Sequence, residues 1–457
     1  MKQAVLALFP KARVTPLALA LAVACVPAWP LDLMQTYQAA LAQDASLQAA
    51  QAAAASGRER LPQARAQMGP NLSASVSRFK NDLTSTAPNV LGVSQTSQSN
   101  YFSVNRTLTL RQPLFRPYQW ALYRQAKFLV ESSEATLEKE LQTLGVRVSE
   151  AYFEALLADD QLALVLAQKS TYATQRDAAR QALSAGSGTR TDIDEAQARL
   201  DMTLAQELEA RQNQDYTRRQ VQMLVNQPVN RLTPLDTARL PLLLPEPAQL
   251  ETWVSRAEQY SPELQSLQAQ FEASRQEVAK AQAAHYPTLD AIAQWSYSES
   301  ENVLDVRSRY ENKSLGLQLS IPLFAGGQVN SVVRQALAEQ QRIGFSAEAL
   351  RRDLGLRVNK EFRGVTEGVA RVRALEQAVR SAEQLVQSSR KAFQAGSRTQ
   401  FDILNAEQQR MLALRDLAQA RYQYLNSRIR LQALAGGDKL AAMAEVNGWL
   451  TRGEDPH

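Results

Sequence analysis

Two short stretches of this 457-residue chain are near copies of each other, AGSGTRTDIDEA at residues 185–196 and AGSRTQFDILNA at 395–406. The second copy follows at an offset of 210 residues, and the same offset carries residues 144–148 onto 354–358. Solenoid repeats have periods of about 20–50 residues. The much longer spacing therefore indicates a duplicated structural module, with one copy in each half of the chain.

Long helices are predicted on both sides of each copy. Residues 118–185 and 325–395 contain no proline and show helical periodicity, and at 1.5 Å per residue each would be about 100 Å long. Gly186 and Gly396 follow as C-terminal caps that can adopt positive φ. Because the turn is short, each long helix should pair with an antiparallel second helix. The second helices are predicted at 191–226 and 399–434.

Alternating polar and apolar residues predict four half-apolar strands, two in each half. They begin at Leu72, Phe102, Leu289 and Ser314. Residues 80–100 and 298–312 are rich in Ser, Asn, Thr and Asp, and we expect them to be the loops that join the strands in pairs. Four strands leave open edges, which lipid does not tolerate. Either the hairpins form a small soluble sheet, or several chains share a barrel, which the polar loops and the export signal favour.

The N-terminal segment, residues 1–28, has the pattern of a secretory signal: basic residues, an apolar run at 17–26 and small residues after it. We expect no transmembrane helix beyond it. Cys25, the only cysteine, either leaves with the signal or accepts a lipid, although Ala22 stands where a lipid-attachment motif usually has Leu. A mature chain without cysteine would have no disulfide and no thiolate metal site.

The composition argues against several functions. The formal net charge is +5, and three of these charges belong to the signal, so a pI of 9.2 is no argument for nucleic acid. There are two histidines, His285 and His457, and no metal-ligand spacing, nucleophile elbow or phosphate loop. We therefore predict no enzyme activity, no catalytic residue, no metal and no cofactor.

The predicted organisation is a signal at 1–28, a first repeat at 29–245, a second repeat at 246–435 and a polar C-terminal tail at 436–457. Each repeat opens with a helical segment, 31–68 or 247–285, followed by a β-hairpin and the long helix pair. The proline-rich stretch 227–250 connects the repeats. The fold class is mainly α with a membrane β-barrel: a long antiparallel helical barrel and four strands per protomer.

This arrangement resembles the TolC-like outer membrane channel family. The resemblance rests on the duplicated order, on Pro-Leu-Phe at 113–115 and 322–324, and on the repeated turn. It implies a homotrimer in outer membrane lipid, with a twelve-stranded barrel and a helical tunnel through the periplasm. The implied partners are a periplasmic adaptor and an inner-membrane pump, either an ABC exporter or a proton-driven pump.

The residues of the two turns are the candidate site. Thr189 and Thr399 are predicted N-caps, and Asp192 and Asp402 then occupy the capping-box position. Acids in a first helical turn also favour the helix dipole, which explains them without any function. The resemblance implies a ring of such acids around the periplasmic aperture, with Asp402 as the best candidate. Glu195 and Asn405 lie one turn further on, and Asn405 replaces a second acid of the family.

By the same resemblance, Arg398 matches a gate residue that tethers the inner helix pair to a neighbour, and Thr191 is a candidate partner. Phe393 stands where a hydrogen-bonding tyrosine is usual, so we expect fewer locking contacts. Arg398 can equally be a solvated turn arginine. The turns should also face the adaptor. The adaptor-facing residues are Gly186, Ser187, Gly396, Ser397 and Thr399.

The predicted function is an outer membrane channel for type I protein secretion, with multidrug or small-molecule efflux as the alternative. A periplasmic coiled-coil adaptor or scaffold is the alternative from another class. An adaptor would have one helical hairpin within a lipoyl-like sheet, usually with an inner-membrane anchor, whereas here the hairpin occurs twice.

Overall fold

The structure is a computed structural model that describes residues 30–88, 90, 92–301, 307–436 and 440–451. The predicted signal, residues 1–28, and Cys25 lie outside the described residues. Helices and strands are numbered in chain order. The helices are α1 (Leu33–Gln43), α2 (Ala45–Arg58), α3 (Arg60–Ala66), α4 (Pro117–Ser184), α5 (Arg190–Val225), α6 (Leu250–Tyr260), α7 (Pro262–Gln282), α8 (Gln328–Gln394), α9 (Gln400–Leu434) and α10 (Ala441–Asn447). The strands are β1 (Asn71–Pro88), β2 (Ser94–Phe115), β3 (Thr288–Glu301) and β4 (Arg307–Ser320).

Two long helical hairpins, α4–α5 and α8–α9, dominate the fold and confirm the predicted helix pairs. Pro117 occupies the first turn of α4, where a missing N–H costs nothing. The α8 helix begins three residues later than predicted because Gly326 and Gly327 have φ of +58° and +82°. No helix in the described part of the chain has the length and apolar character needed to cross a membrane.

The opening segments of both repeats are helical as predicted, but each is divided into shorter helices. Asp44 ends α1 and caps α2, where its carboxylate accepts a hydrogen bond from the Leu47 N–H at 2.8 Å. Ser261 does the same between α6 and α7. The α2 and α3 helices pack on α4, whereas α7 packs against both α4 and α8. The short helices therefore cover the part of each long helix nearest to the strands.

The strands form one antiparallel sheet in the order β1-β2-β3-β4. The prediction that residues 80–100 and 298–312 are loops was wrong over most of their length. Asn81 is paired with Tyr101, and Ser298 with Tyr310. Backbone ladders need no apolar side chains, and polar pairs such as Thr86 with Thr96, whose hydroxyls lie 2.9 Å apart, extend the hairpins beyond the apolar alternation.

The two faces of the sheet differ in polarity. On one face, here called the apolar face, the residues nearest to the helices are Leu72, Ala74, Val76, Leu108, Leu110, Ala291, Ala293, Trp295, Leu315, Leu317 and Leu319. The opposite face carries mostly Ser, Thr, Asn and Gln. Along residues 105–110 of β2, apolar-face side chains are exposed and those of the polar face are half-buried. The more sheltered face is therefore the polar one, the reverse of a soluble sheet.

A buried carboxylate joins the sheet to the helices. Asp290 of β3 accepts a hydrogen bond from Arg116 Nε at 2.8 Å, and its other oxygen lies 3.1 Å from Arg111 Nε. Arg116 is the N-cap residue of α4, whereas Arg111 belongs to β2. One side chain thus connects two strands with the start of a long helix. Because a buried charge needs partners, this pairing fixes where the sheet ends and the helices begin.

The main core lies at the middle of α4 and α8, where the C-terminal ends of α5 and α9 pack against them. Tyr152 and Phe153 of α4 pack edge to face with ring centroids 5.7 Å apart, and Phe153 also contacts Tyr422 of α9. The predicted connecting stretch contributes Leu232 and Leu235 to this core. The predicted polar tail is partly buried instead, because α10 and the residues after it contribute Met443, Val446 and Leu450 to this core.

Candidate functional site

The turns of the two hairpins have the same backbone geometry. Gly186 and Gly396 have φ of +74° and +73°, as predicted, a region that favours glycine. In the first turn the N–H of Ser187 donates to the carbonyl of Ala182 at 2.9 Å. In the second, Ser397 donates to Ala392 at the same distance. These bonds satisfy the last carbonyls of α4 and α8 and reverse the chain within a few residues.

Both predicted capping boxes are present. The N–H groups of Thr189 and Thr399 donate to Oδ2 of Asp192 and Asp402, each at 2.9 Å. In return each threonine hydroxyl accepts the N–H of its aspartate. This confirms the structural interpretation of both acids. A role of these acids at an aperture stays a prediction.

The capping box also changes the ionisation of Asp402. The backbone N–H and the hydroxyl of Thr399, together with the charge of Arg398, hold the pKa of this carboxyl below its usual value. The cap therefore contributes fully to stability above the ordinary pKa of an aspartate, and the contribution is lost only as pH falls through the lowered value. Asp402 consequently stays negatively charged at neutral and mildly acidic pH.

Arg199 of α5 brings the two hairpins together just beyond the turns. Its guanidinium donates to Oδ1 of Asn405 at 2.7 Å and to Oε1 of Gln408 at 2.8 Å, both in α9. It also lies 5.7 Å from the ring centroid of Phe401 and 3.4 Å from Oε1 of Glu195. Glu195 and Asn405, two of the predicted site residues, are therefore held by one arginine.

The repeated pattern does not reveal Arg199, which is therefore not predicted from the sequence. Its counterpart at the 210-residue offset is Gln409, so the arginine is absent from the shared pattern. Its position four residues after Glu195 is a helical ion-pair spacing and was the available signal.

The predicted gate arginine makes a different contact within the protomer. Arg398 donates to the hydroxyl of Ser389, in its own hairpin, at 3.0 Å. Among the described residues of one chain it forms no hydrogen bond with Thr191, which is exposed. Phe393 is also exposed. A tether from Arg398 to a neighbouring protomer stays a prediction.

The similarity to known proteins also falls into two parts, one in each half of the chain. A sequence model of the family described as "Outer membrane efflux protein" matches residues 36–227 and 253–437. The chain therefore belongs to this family. It is a channel protein of the outer membrane whose helical part extends into the periplasm.

Among curated relatives, the alkaline protease secretion protein AprF of Pseudomonas aeruginosa is 35% identical, with 94% of this chain and 89% of AprF covered. The proteases secretion protein PrtF of Dickeya chrysanthemi is 30% identical, with 92% and 91% covered. Outer membrane protein TolC of Escherichia coli K12 is 27% identical, with 92% and 85% covered.

A solved structure shows the same fold at lower identity. The outer membrane protein VceC of Vibrio cholerae superposes with a TM-score of 0.75, over 90% of this chain and 100% of VceC, at 19% identity. This likeness confirms the predicted fold class.

Replacing Arg199 with alanine should loosen the junction between the two tips. A hydrogen bond to a charged group stabilises by about 1.5–3 kcal/mol, so we expect amide hydrogen exchange at the start of α5 and α9 to become about tenfold faster. Arg190→Ala is the matched control, because Arg190 is exposed and, among the described residues, pairs with Asp194 of the same helix. Equal protection in wild type and Arg199→Ala would show that the junction does not depend on this side chain.

Proposed function

We propose that three copies of this chain form one channel, in which each contributes four strands to a twelve-stranded barrel. The unpaired outer edges of β1 and β4 support this, because an open edge in lipid leaves backbone groups without partners. The outward apolar face and the sheltered polar face have the alternation of a barrel with a polar interior. The single observation that carries the proposal is this four-stranded sheet with two free edges and an exposed apolar face.

The long hairpins would form the tunnel beneath the barrel. The α4 and α8 helices have 68 and 67 residues, so each is about 100 Å long. Their tips are the parts furthest from the strands, and they would face a periplasmic adaptor that couples the channel to an inner-membrane pump. Export needs no catalytic residue in this chain, since the pump would supply the energy.

The cargo we propose is a protein, exported by type I secretion through an ABC exporter. The names of AprF and PrtF say that these relatives serve protease secretion, and both align over nearly the whole chain. Multidrug or small-molecule efflux is the second candidate. It is supported by the name of the Brucella suis relative, outer membrane efflux protein BepC, which is 23% identical over 56% of the chain.

The periplasmic aperture would be lined by Asp402 and Asp192. Threefold repetition of these carboxylates would place like charges around a narrow mouth and attract cations. The carboxylate of Glu195 is already beside Arg199, so it adds less negative charge than the sequence indicates. Asn405 is neutral, and its side-chain oxygen accepts a hydrogen bond from the same arginine. We propose that Arg398 and Thr191 form a tether between protomers and that Arg199 is a second tether, inside the protomer.

Removing the gate contacts should open the channel. Arg398→Ala would remove the proposed tether, and Asp402→Ala would remove both the ring charge and the cap of α9. We expect each variant to increase single-channel conductance in planar bilayers, with Arg190→Ala as the control at wild-type conductance. Unchanged conductance in both variants would rule out the assignment of these residues to the aperture.

The cargo can be tested in cells that lack their own outer membrane component. One strain would carry an ABC exporter and adaptor for an alkaline protease, and another a proton-driven drug pump with its adaptor. We expect this chain to restore protease activity in the medium of the first strain, because the names of AprF and PrtF assign these relatives to protease secretion. Restored drug resistance without protease secretion would support the efflux alternative. If the correctly inserted protein restores neither, the proposed export function is wrong.

A further inference from the structure

Three basic side chains lie together on the apolar face of the sheet, beyond its apolar residues. Arg78 and Lys80 belong to β1, and Arg106 belongs to β2, where it is paired with Val76. Arg78 is paired with Val104, so it lies diagonally across from Arg106 on the same face. Diagonal neighbours in antiparallel strands are about 7–8 Å apart at Cα. All three side chains are exposed. We call this group the basic cluster.

The two arginines rest on aromatic rings. The Arg78 guanidinium lies 4.6 Å from the ring centroid of Phe102, and that of Arg106 lies 5.4 Å from the ring centroid of Tyr297. A ring stabilises the cation through its π face and leaves the N–H donors in the guanidinium plane available. The stacking therefore orients the two guanidinium groups and leaves their N–H groups available to donate hydrogen bonds.

The positive charge of the cluster has no acidic partner among the described residues of the chain. Two carboxylates in the β3–β4 half of this face, those of Glu299 and Glu311, already have cations beside them. Glu299 lies 3.1 Å from Arg307 and 3.5 Å from Arg309, and Glu311 lies 3.1 Å from Lys313. Asp82, two residues beyond Lys80, forms no ion pair with a described residue. The β1–β2 half of the face consequently carries an unbalanced positive charge.

Closing the sheet with further copies would not remove this excess. The β1 strand is an edge, so its next neighbour would be β4 of a second copy. On this face the described part of that strand carries the cations Arg307, Arg309 and Lys313 and the carboxylate of Glu311, which lies 3.1 Å from Lys313. The cations of the strand therefore outnumber its carboxylate, and closure would keep the charge beside the basic cluster positive.

The depth of the cluster points to the outer leaflet. On the helix side it is bordered by Val76 and Leu108, which are exposed apolar residues. On the other side are the hairpin ends, which are far from the periplasmic helices. Basic side chains at the border of an apolar band meet the head-group layer of a membrane. Arginine pairs with phosphate in a bidentate geometry, which makes phosphate the best-matched anion.

We propose that the basic cluster binds the phosphate groups of a phosphorylated lipid in the external leaflet of the outer membrane. A lipid satisfies both parts of the surface, since its phosphate meets Arg78, Lys80 and Arg106 while its acyl chains cover Val76 and Leu108. Free phosphate would gain only the first contact. The site lies on an open face that supplies no enclosing pocket for a small ion.

The test uses the purified full-length protein in detergent and three probes: lipid A with both phosphates, lipid A stripped of phosphate, and inorganic phosphate. Native mass spectrometry would count the lipid molecules bound. We expect the bisphosphorylated lipid to bind about tenfold more tightly than the stripped lipid, since charge-assisted bonds are the strong ones. The triple variant Arg78→Gln, Lys80→Gln, Arg106→Gln should lose this preference.

Lys313→Gln is the matched control, because this cation lies on the same face but already pairs with Glu311. It should keep the preference. Unchanged helical circular dichroism in the triple variant would show that it folds. The proposal fails if wild type binds both lipids equally, if the folded triple variant keeps the preference, or if inorganic phosphate at equal concentration displaces the lipid. Each readout is independent of export, so failure here leaves the proposed transport function standing.

Discussion

The free backbone edges of a four-stranded sheet are the constraint on which the rest of this molecule depends. An outer membrane protein cannot leave the outer N–H and C=O groups of β1 and β4 in lipid without partners. One chain has too few strands to close on itself around a passage, which is why we propose that further copies close the sheet. The polar and apolar faces of the sheet fit such a barrel, and the long helices would continue it below the membrane.

The duplication gives each chain two similar hairpins from one repeated sequence pattern, but it does not make the two halves of the chain equivalent. Both hairpins use the same turn and the same capping box, so both tips have the same local hydrogen bonds. The residues that join them are not repeated, since Arg199 has Gln409 as its counterpart and Glu195 has Asn405. The repeated parts build the two long hairpins, whereas the contacts of Arg199 between them occur once in the described chain. At the opposite end of the hairpins, the buried Asp290 anchors β3 to the N-cap residue of α4.

The long helices, their turns and their capping boxes could be predicted from the sequence because the signals for them are local. Long segments without proline, glycine at the turns and a threonine followed three residues later by aspartate act within a few residues of the chain. The predicted loops at 80–100 and 298–312 failed for a physical reason. A polar hairpin such as Thr86 with Thr96 is held by its backbone ladder and shows no apolar alternation. The contacts of Arg199, and the burial of Val446 and Leu450, depend on chain segments far apart in sequence. Apart from the helical ion-pair spacing of Glu195 and Arg199, no local pattern reveals them.

The central claim is that neighbouring copies of the chain close the open edges, and counting those copies tests it most directly. Native mass spectrometry of the protein extracted from outer membranes in mild detergent would give the number of chains in the folded particle. We expect three, which together supply twelve strands. A folded, membrane-inserted particle containing a single chain would contradict it, because the edges of β1 and β4 would then be stable in lipid without a partner.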